Sequence, residues 1–240
     1  MSKGTLNILQ LYPREMNIYG DWGNVLVLKQ RLAWHGYTAY ILEHSAGDEF
    51  PADVDLIIGG GGQDSGQLVI QEDLQAIAPR LRELAEDGLP MLVICGLYQL
   101  FGKFFKTHDG TVIPGIGILD LETHGTNERL IGNVVADSEE FGEIHGYENH
   151  SGQTRLGPGV RPLGTVTKGA GNNSQDGHEG ARHLNVVASY LHGSLLPKNP
   201  AIADFLLRKA AERKFGFFEP GVLDDSLADL ARRHAGARPR

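Results

Sequence analysis

With Cys95 as its only cysteine, the chain forms no intrachain disulfide and no cysteine-cluster zinc site, which suits a reducing, cytoplasmic compartment. No apolar run approaches the roughly 18–20 residues that span a bilayer. Met-Ser-Lys-Gly-Thr at the N-terminus leads straight into a strand, without the apolar stretch of a signal peptide. Basic residues are outnumbered, 22 Lys and Arg against 30 Asp and Glu, for a formal net charge of −8. That balance gives no support to nonspecific nucleic-acid binding, which needs a basic face. There is no internal repeat, and no phosphate-binding loop of the form G-x-x-x-x-G-K followed by Ser or Thr. What is left is an ordinary globular composition, 41% hydrophobic and 22% charged over 240 residues, enough for one large domain with a sizeable core.

Leu6 to Leu11 reads as a first strand, Tyr37 to Leu42 as a second, Val54 to Ile58 as a third and Met91 to Ile94 as a fourth. Between them, Val25 to Trp34 carries Val25, Leu28 and Leu32 at helical spacing. Leu68 to Glu86 does the same with Ile70, Leu74, Ile77, Leu81 and Leu84, and Asp87-Gly88 stops it before Pro90. Alternating strands and helices predict an α/β fold with a mostly parallel sheet covered by helices on both faces. From Thr111 to Val166 the pattern turns to short strands and glycine turns, at Gly115 to Leu121, Arg129 to Ala136 and Gly142 to Tyr147. This predicts an antiparallel extension packed on the parallel core. Leu184 to Leu191 is a further strand, and Pro200 to Lys214 a last helix opened by an Asn-Pro start. Residues 1–220 are thus expected to form one domain. Residues 221–240 form a tail with a short helix over 224–232 and a basic, frayed end from Arg233.

Cys95 lies between the apolar run Met91 to Ile94 and a helix opening at Gly96. A thiol at such a turn stands over the C-terminal edge of a parallel sheet, where α/β proteins place ligands, and the helix N-terminus favours its anion. Two readings follow: a nucleophile for acyl chemistry at a carbonyl, or a small buried hydrophobe. A thiolate nucleophile needs a base, brought close by the fold. Of ten histidines, His192 is singled out because it follows the apolar stretch ending at Leu191; the others lie in or beside polar segments. Gly59 to Gly62 follow a buried strand. Their N–H groups offer donors to an anion, as an oxyanion hole would, with the Gly96 N–H a further donor beside Cys95; a plain tight turn is the alternative.

Cys95-Gly-Leu-Tyr-Gln99, the glycine loop and Tyr190-Leu-His-Gly193 together resemble the class I, triad-type glutamine amidotransferases. Within these, Cys-Gly-x-Tyr-Gln is similar to the cobyric acid synthase branch, as is Leu97 where many class I members have glycine. Tyr19-Gly-Asp-Trp-Gly-Asn24, Glu128 to Asn133, Gly146 to Gly152 and His192 to Pro200 resemble the GatD family, the glutaminase subunits of lipid II isoglutaminyl synthase, over about residues 6 to 214. The resemblance implies a flavodoxin-like fold, with Cys95 as nucleophile, His192 as base and then acid, an oxyanion hole from the Gly96 N–H and an amide near Gly60 or Gly61, Gln99 in contact with the bound glutamine, and Arg129 on its α-carboxylate. Asp21 and Asn24 would shape the pocket or a partner surface. No metal or cofactor is expected in this chain. ATP and Mg would belong to a partner, a Mur-ligase-like subunit of the MurT type in a heterodimer, which reaches lipid II at the inner face of the membrane. No direct membrane insertion is implied.

The resemblance is incomplete at one point. Triad-type members usually carry His-x-Glu, but Ser194 stands two after His192, and a serine cannot orient an imidazolium by charge. Either Glu148 or Asn149 serves instead, or a partner donates the carboxylate; the resemblance favours the partner. The rival functions are glutaminase chemistry for cobyrinate or cobyrate amidation, and a free-standing cysteine hydrolase of the same fold. A binding module that keeps the fold without activity is a third.

Overall fold

The computed structural model describes residues 2–237. Its first half is built of β1 (Thr5–Leu11), α1 (Gly23–Trp34), β2 (Thr38–His44), β3 (Leu56–Gly59), α2 (Asp64–Glu86), β4 (Met91–Ile94) and α3 (Gly96–Phe101). The second half begins with β5 (Phe104–Lys106), β6 (Val112–Pro114), β7 (Leu121–Ser138), β8 (Gly142–Leu156), β9 (Gly164–Lys168) and β10 (His178–Glu179). It continues with β11 (Ala181–His183), β12 (Val186–Ser189), a 3-10 turn at Leu196–Lys198, α4 (Pro200–Phe215) and α5 (Ser226–Ala237).

Two sheets result. One has the order β11-β12-β4-β3-β1-β2 and is parallel except where β11 meets β12. The other runs β10-β9-β7-β5-β6, with β8 paired antiparallel to β7. In the first sheet β3, β4 and β12 are buried on both faces, which is why they read as unbroken apolar runs. Edge strand β2 is mostly half-buried and exposed. The fold is thus the expected α/β arrangement with an antiparallel addition.

Register places the strand ends in one row. Leu11 pairs with Gly59, Gly59 with Val93, and Ser189 with Ile94. The segments that leave this edge carry Asp21, Gly60 to Gly62, Cys95 and His192, so residues far apart in sequence converge at the C-terminal ends of the strands.

Two sequence expectations shift. Gly115 to Leu121 is no strand before Leu121 itself. Its N–H groups instead take up carbonyls at the end of α3 and just beyond: Ile116 on Leu100 O (2.7 Å), Leu119 on Phe101 O (2.9 Å), Gly117 on Gly102 O (2.8 Å) and Gly115 on Lys103 O (2.9 Å). The orphan carbonyls of a short helix end outweigh strand pairing here. The strand expected over 184–191 is shorter, since Leu184 sits at φ +48° in a turn and the ladder ends at Ser189.

The C-terminal segment folds back over α1. Buried Arg31 on α1 forms a two-pronged pair with Asp204 of α4 (2.7 and 2.6 Å) and a further bond to Asp225 (2.6 Å). Gly221 N donates to His35 Nδ1 (3.0 Å), and Phe218 stacks on Tyr37. Helix α5 runs to Ala237; the rest of the expected frayed end, 238–240, lies outside the described residues. Among the described residues no helix is long and apolar enough to cross a membrane.

Candidate active site

Cys95 adopts φ +48°, ψ −99°, a conformation that costs a non-glycine residue on the order of 1–3 kcal/mol. The strain is held by its surroundings: Cys95 N donates to Ser189 O on β12 (2.8 Å), and Cys95 O accepts from Gln99 N (3.0 Å) in the first turn of α3. The result is a sharp strand-to-helix elbow that presents the thiol above the sheet edge. Gly96 opens the helix, so its N–H has no acceptor within it.

His192 is held by its own N–H, which donates to Tyr147 O on β8 (2.8 Å). Its ring packs on Tyr19 with centroids 4.2 Å apart. Gly61 shows how close the two reactive residues are. A Cβ at that glycine would lie 2.7 Å from His192 Cε1 and 3.1 Å from Cys95 Cβ, so only a glycine fits between them. Burial is the largest influence on His192 and disfavours its charged form. The negative charge of Cys95 and then Asp21 outweigh it, and the imidazole pKa is pushed up well above its ordinary value. This favours an imidazolium beside Cys95.

A carboxylate faces this ring from the loop before α1. Asp21 is buried, and its Oδ2 lies 3.5 Å from His192 Nδ1 while accepting the Gly61 N–H at 2.8 Å. Ser194 does not face the ring at all. Its hydroxyl donates to Gly20 O (3.0 Å), fastening the histidine loop to the turn that bears Asp21. Asn24 does the same from α1, its Oδ1 accepting from Leu196 N (2.9 Å). The two local groups considered from sequence are engaged elsewhere. Glu148 accepts from Ala170 N (2.9 Å) and Gly171 N (2.8 Å), and Asn149 accepts from Arg129 Nε (2.7 Å).

Beside Cys95 opens a cleft of about 300 Å³, lined by Tyr19, Gly62, Cys95, Gln99, Arg129 and His150 among others. Arg129 projects from β7, braced by Asn149 and by Tyr19 Oη (3.3 Å). Gln99 is fixed by Gln67 Nε2 (2.7 Å) and by its own bond to Tyr190 Oη (3.1 Å). His150 stacks flat on Tyr190 at 3.6 Å, its Nδ1–H donating to Gly152 O (2.7 Å). Of the glycines, Gly62 lines the cleft, Gly61 gives its N–H to Asp21, and Gly60 accepts from Leu97 N (3.4 Å). Sequence reasoning gave His150, Tyr19 and Gly62 no role of their own in the site, although all three lie within motifs it had noted. Among the described residues no cluster of three or more His, Cys, Asp or Glu converges to hold a metal ion.

A nucleophile at a strained turn, an imidazolium beside it and an arginine across a small cleft suit acyl transfer on a carboxylate-bearing amide. The model of the CobB/CobQ-like glutamine amidotransferase domain matches residues 7–200, which hold every one of these groups. The chain belongs to this family. Among CobB/CobQ-like amidotransferase relatives, subunit GatD of the glutamine-hydrolyzing lipid II isoglutaminyl synthase of Staphylococcus aureus is 42% identical over 229 residues. That match covers 95% of this chain and 93% of the relative. The Streptococcus pneumoniae GatD subunit is 38% identical over 216 residues, covering 88% and 82% of the two chains. The structure of PurLQS from Thermotoga maritima superposes with a TM-score of 0.60 over 86% of this chain and 98% of that one. At 15% identity it shows the shared fold.

Proposed function

We propose that the chain is a glutaminase subunit that hydrolyses L-glutamine and passes the ammonia to an ATP-dependent, Mur-ligase-like partner. The partner would amidate the D-glutamate of the lipid II stem peptide to D-isoglutamine. The observation that carries this reading is Cys95, with His192 beside it, opening on a cleft that Arg129 also lines, in a chain that matches GatD subunits along most of their length.

The cleft supports the following course. Arg129 holds the α-carboxylate of glutamine as a planar two-pronged donor. Cys95 attacks the side-chain amide carbon, and the oxyanion is met by the Gly96 N–H and an amide of the glycine loop. His192 gives its proton to the departing nitrogen, the C–N bond breaks, and ammonia leaves a γ-glutamyl thioester. Water then attacks the thioester, His192 takes its proton, and the C–S bond breaks to release glutamate. The balance is glutamine plus water to glutamate plus ammonia. ATP and Mg act on the partner, and the complex works in the cytoplasm at the inner face of the membrane, where the lipid-linked acceptor lies.

The test is ammonia release from L-glutamine with and without the ligase, with Cys95→Ala as the blank. Release that rises with the ligase and vanishes in the blank is the expected result. Release indifferent to the ligase would point to a free-standing hydrolase, and none under either condition would overturn the reading.

A further inference from the structure

We propose that Asp21 is the positioning carboxylate of His192, supplied by this chain from the loop before α1. The inference rests on the glutaminase reading above and gives that site its third member.

The geometry has three parts. Asp21 Oδ2 is 3.5 Å from His192 Nδ1, about half an ångström beyond a hydrogen bond, and such contacts tighten when substrate fills a site. Asp21 Oδ1 and both ring nitrogens of His192 are buried without a hydrogen-bond partner, so Nδ1 has no acceptor other than the facing Asp21 carboxylate within reach. Among the described residues, no lysine or arginine pairs with Asp21, and His192 is the cationic group within ion-pair distance. A buried carboxylate without a counter-charge is costly, and the imidazolium is the counter-charge this loop provides.

The chain also explains why the acid comes from here and not from position 194. A Cβ on Gly23 would lie 2.2 Å from Ser194 Oγ, so the histidine loop and the Asp21 turn are in direct contact at that point. A glutamate at 194 would drive them apart. The serine instead bonds Gly20 O, and Asn24 bonds Leu196 N, pinning the turn on both sides of Asp21. The groups facing His192 are then Cys95 at the end of β4, Asp21 and Tyr19 from the loop before α1, and the Tyr147 carbonyl of β8. The Lys198 ammonium lies on the Gly193 carbonyl, next along the same loop. In this arrangement Asp21 keeps the proton on Nδ1, aims Nε2 at Cys95 and stabilises the imidazolium during ammonia departure.

Asp21→Asn is near-isosteric and keeps an oxygen for the Gly61 N–H. In the full chain, alone and with the ligase, it should lower kcat for ammonia release by 100-fold or more. KM should change little, and the pH at which His192 loses its proton, read by NMR of the ring nitrogens, should fall. In the wild-type chain the same spectra should show Nδ1 protonated and hydrogen-bonded, a readout that needs no variant. A kcat within threefold of wild type with unchanged His192 titration would overturn the proposal. So would a loss in the free chain that the ligase fully restores, since the working carboxylate would then be the partner's. Wild-type chain that releases no ammonia with or without ligase defeats the glutaminase reading instead, and the ring-nitrogen spectra still decide Asp21.

Discussion

Gly61→Ala should disable the reaction while leaving the fold in place. Gly61 does not occupy the left-handed region, so alanine is not penalised by backbone conformation. Its methyl carbon would, however, stand 2.7 Å from His192 Cε1. Carbon atoms rest at about 3.5–4.0 Å, so the ring must retreat by roughly 1 Å. It has little room: the Tyr19 ring packs against it at a tilt, the backbone is tied to Tyr147 O, and the residue is only 2% exposed. A misplacement of about 1 Å in a catalytic group costs about 100-fold, or roughly 2.7 kcal/mol in the barrier. The loss should fall on kcat, because Arg129 and the far end of the cleft are untouched. Steady-state ammonia release in the presence of the ligase gives kcat and KM, and calorimetry checks the fold. A variant that melts like wild type and keeps kcat within threefold would show that His192 need not sit where the structure places it.

Arg129→Lys keeps the charge but loses the planar fork, and its braces Asn149 and Tyr19 are set for a guanidinium; KM for glutamine should rise about tenfold or more with a smaller change in kcat. Arg31→Met leaves Asp204 and Asp225 without their shared cation. Both are about one-third exposed and partly rehydrate, so a loss of about 2 kcal/mol is expected in denaturant unfolding, with faster proteolysis after residue 220. Glu179 is fully buried, and burial, only partly countered by Ser189 and the Tyr190 amide, pushes its carboxyl up to about 7 from 4.5. Between those values the folded chain keeps a proton that the unfolded chain gives up, so stability falls as pH rises, by on the order of 3 kcal/mol. Glu179→Gln should therefore raise the melting temperature at pH 8 and change it little near pH 4.5; equal effects at both would refute the burial argument.

The parallel core was readable because strands buried on both faces show as continuous apolar runs; Met91 to Ile94 is the expected strand residue for residue. Cys95 was legible for the same reason, since a reactive side chain at the end of such a run has one direction to point. His192 was reached by a looser rule, as its strand ends at Ser189 and the bridge to Tyr147 carries the chain onward. The carboxylate beside it was not legible. Asp21 sits in a motif that reads equally well as a turn, and its approach to His192 depends on the Ser194 and Asn24 bonds, which join segments distant in sequence. Glu148 was the more obvious acid by proximity to the motifs, yet its two oxygens hold the Ala170 and Gly171 amides. Gly115 to Leu121 looked like a strand because capping of a helix end leaves no periodic trace.

Cys95 and His192 belong to the ends of the parallel sheet, whereas Arg129 rides on β7 of the other sheet. The reacting pair and Arg129 thus stand on separate frames, joined at the site by the bridge from Tyr147 to His192, the bond from Arg129 to Tyr19 and the stacking of His150 on Tyr190. A small sliding of one frame against the other would change the space beside Arg129 and, through the Tyr147 and Tyr19 contacts, would pull on His192 as well. Reach and reactivity are therefore linked, and a molecule that gripped both frames would set the two together.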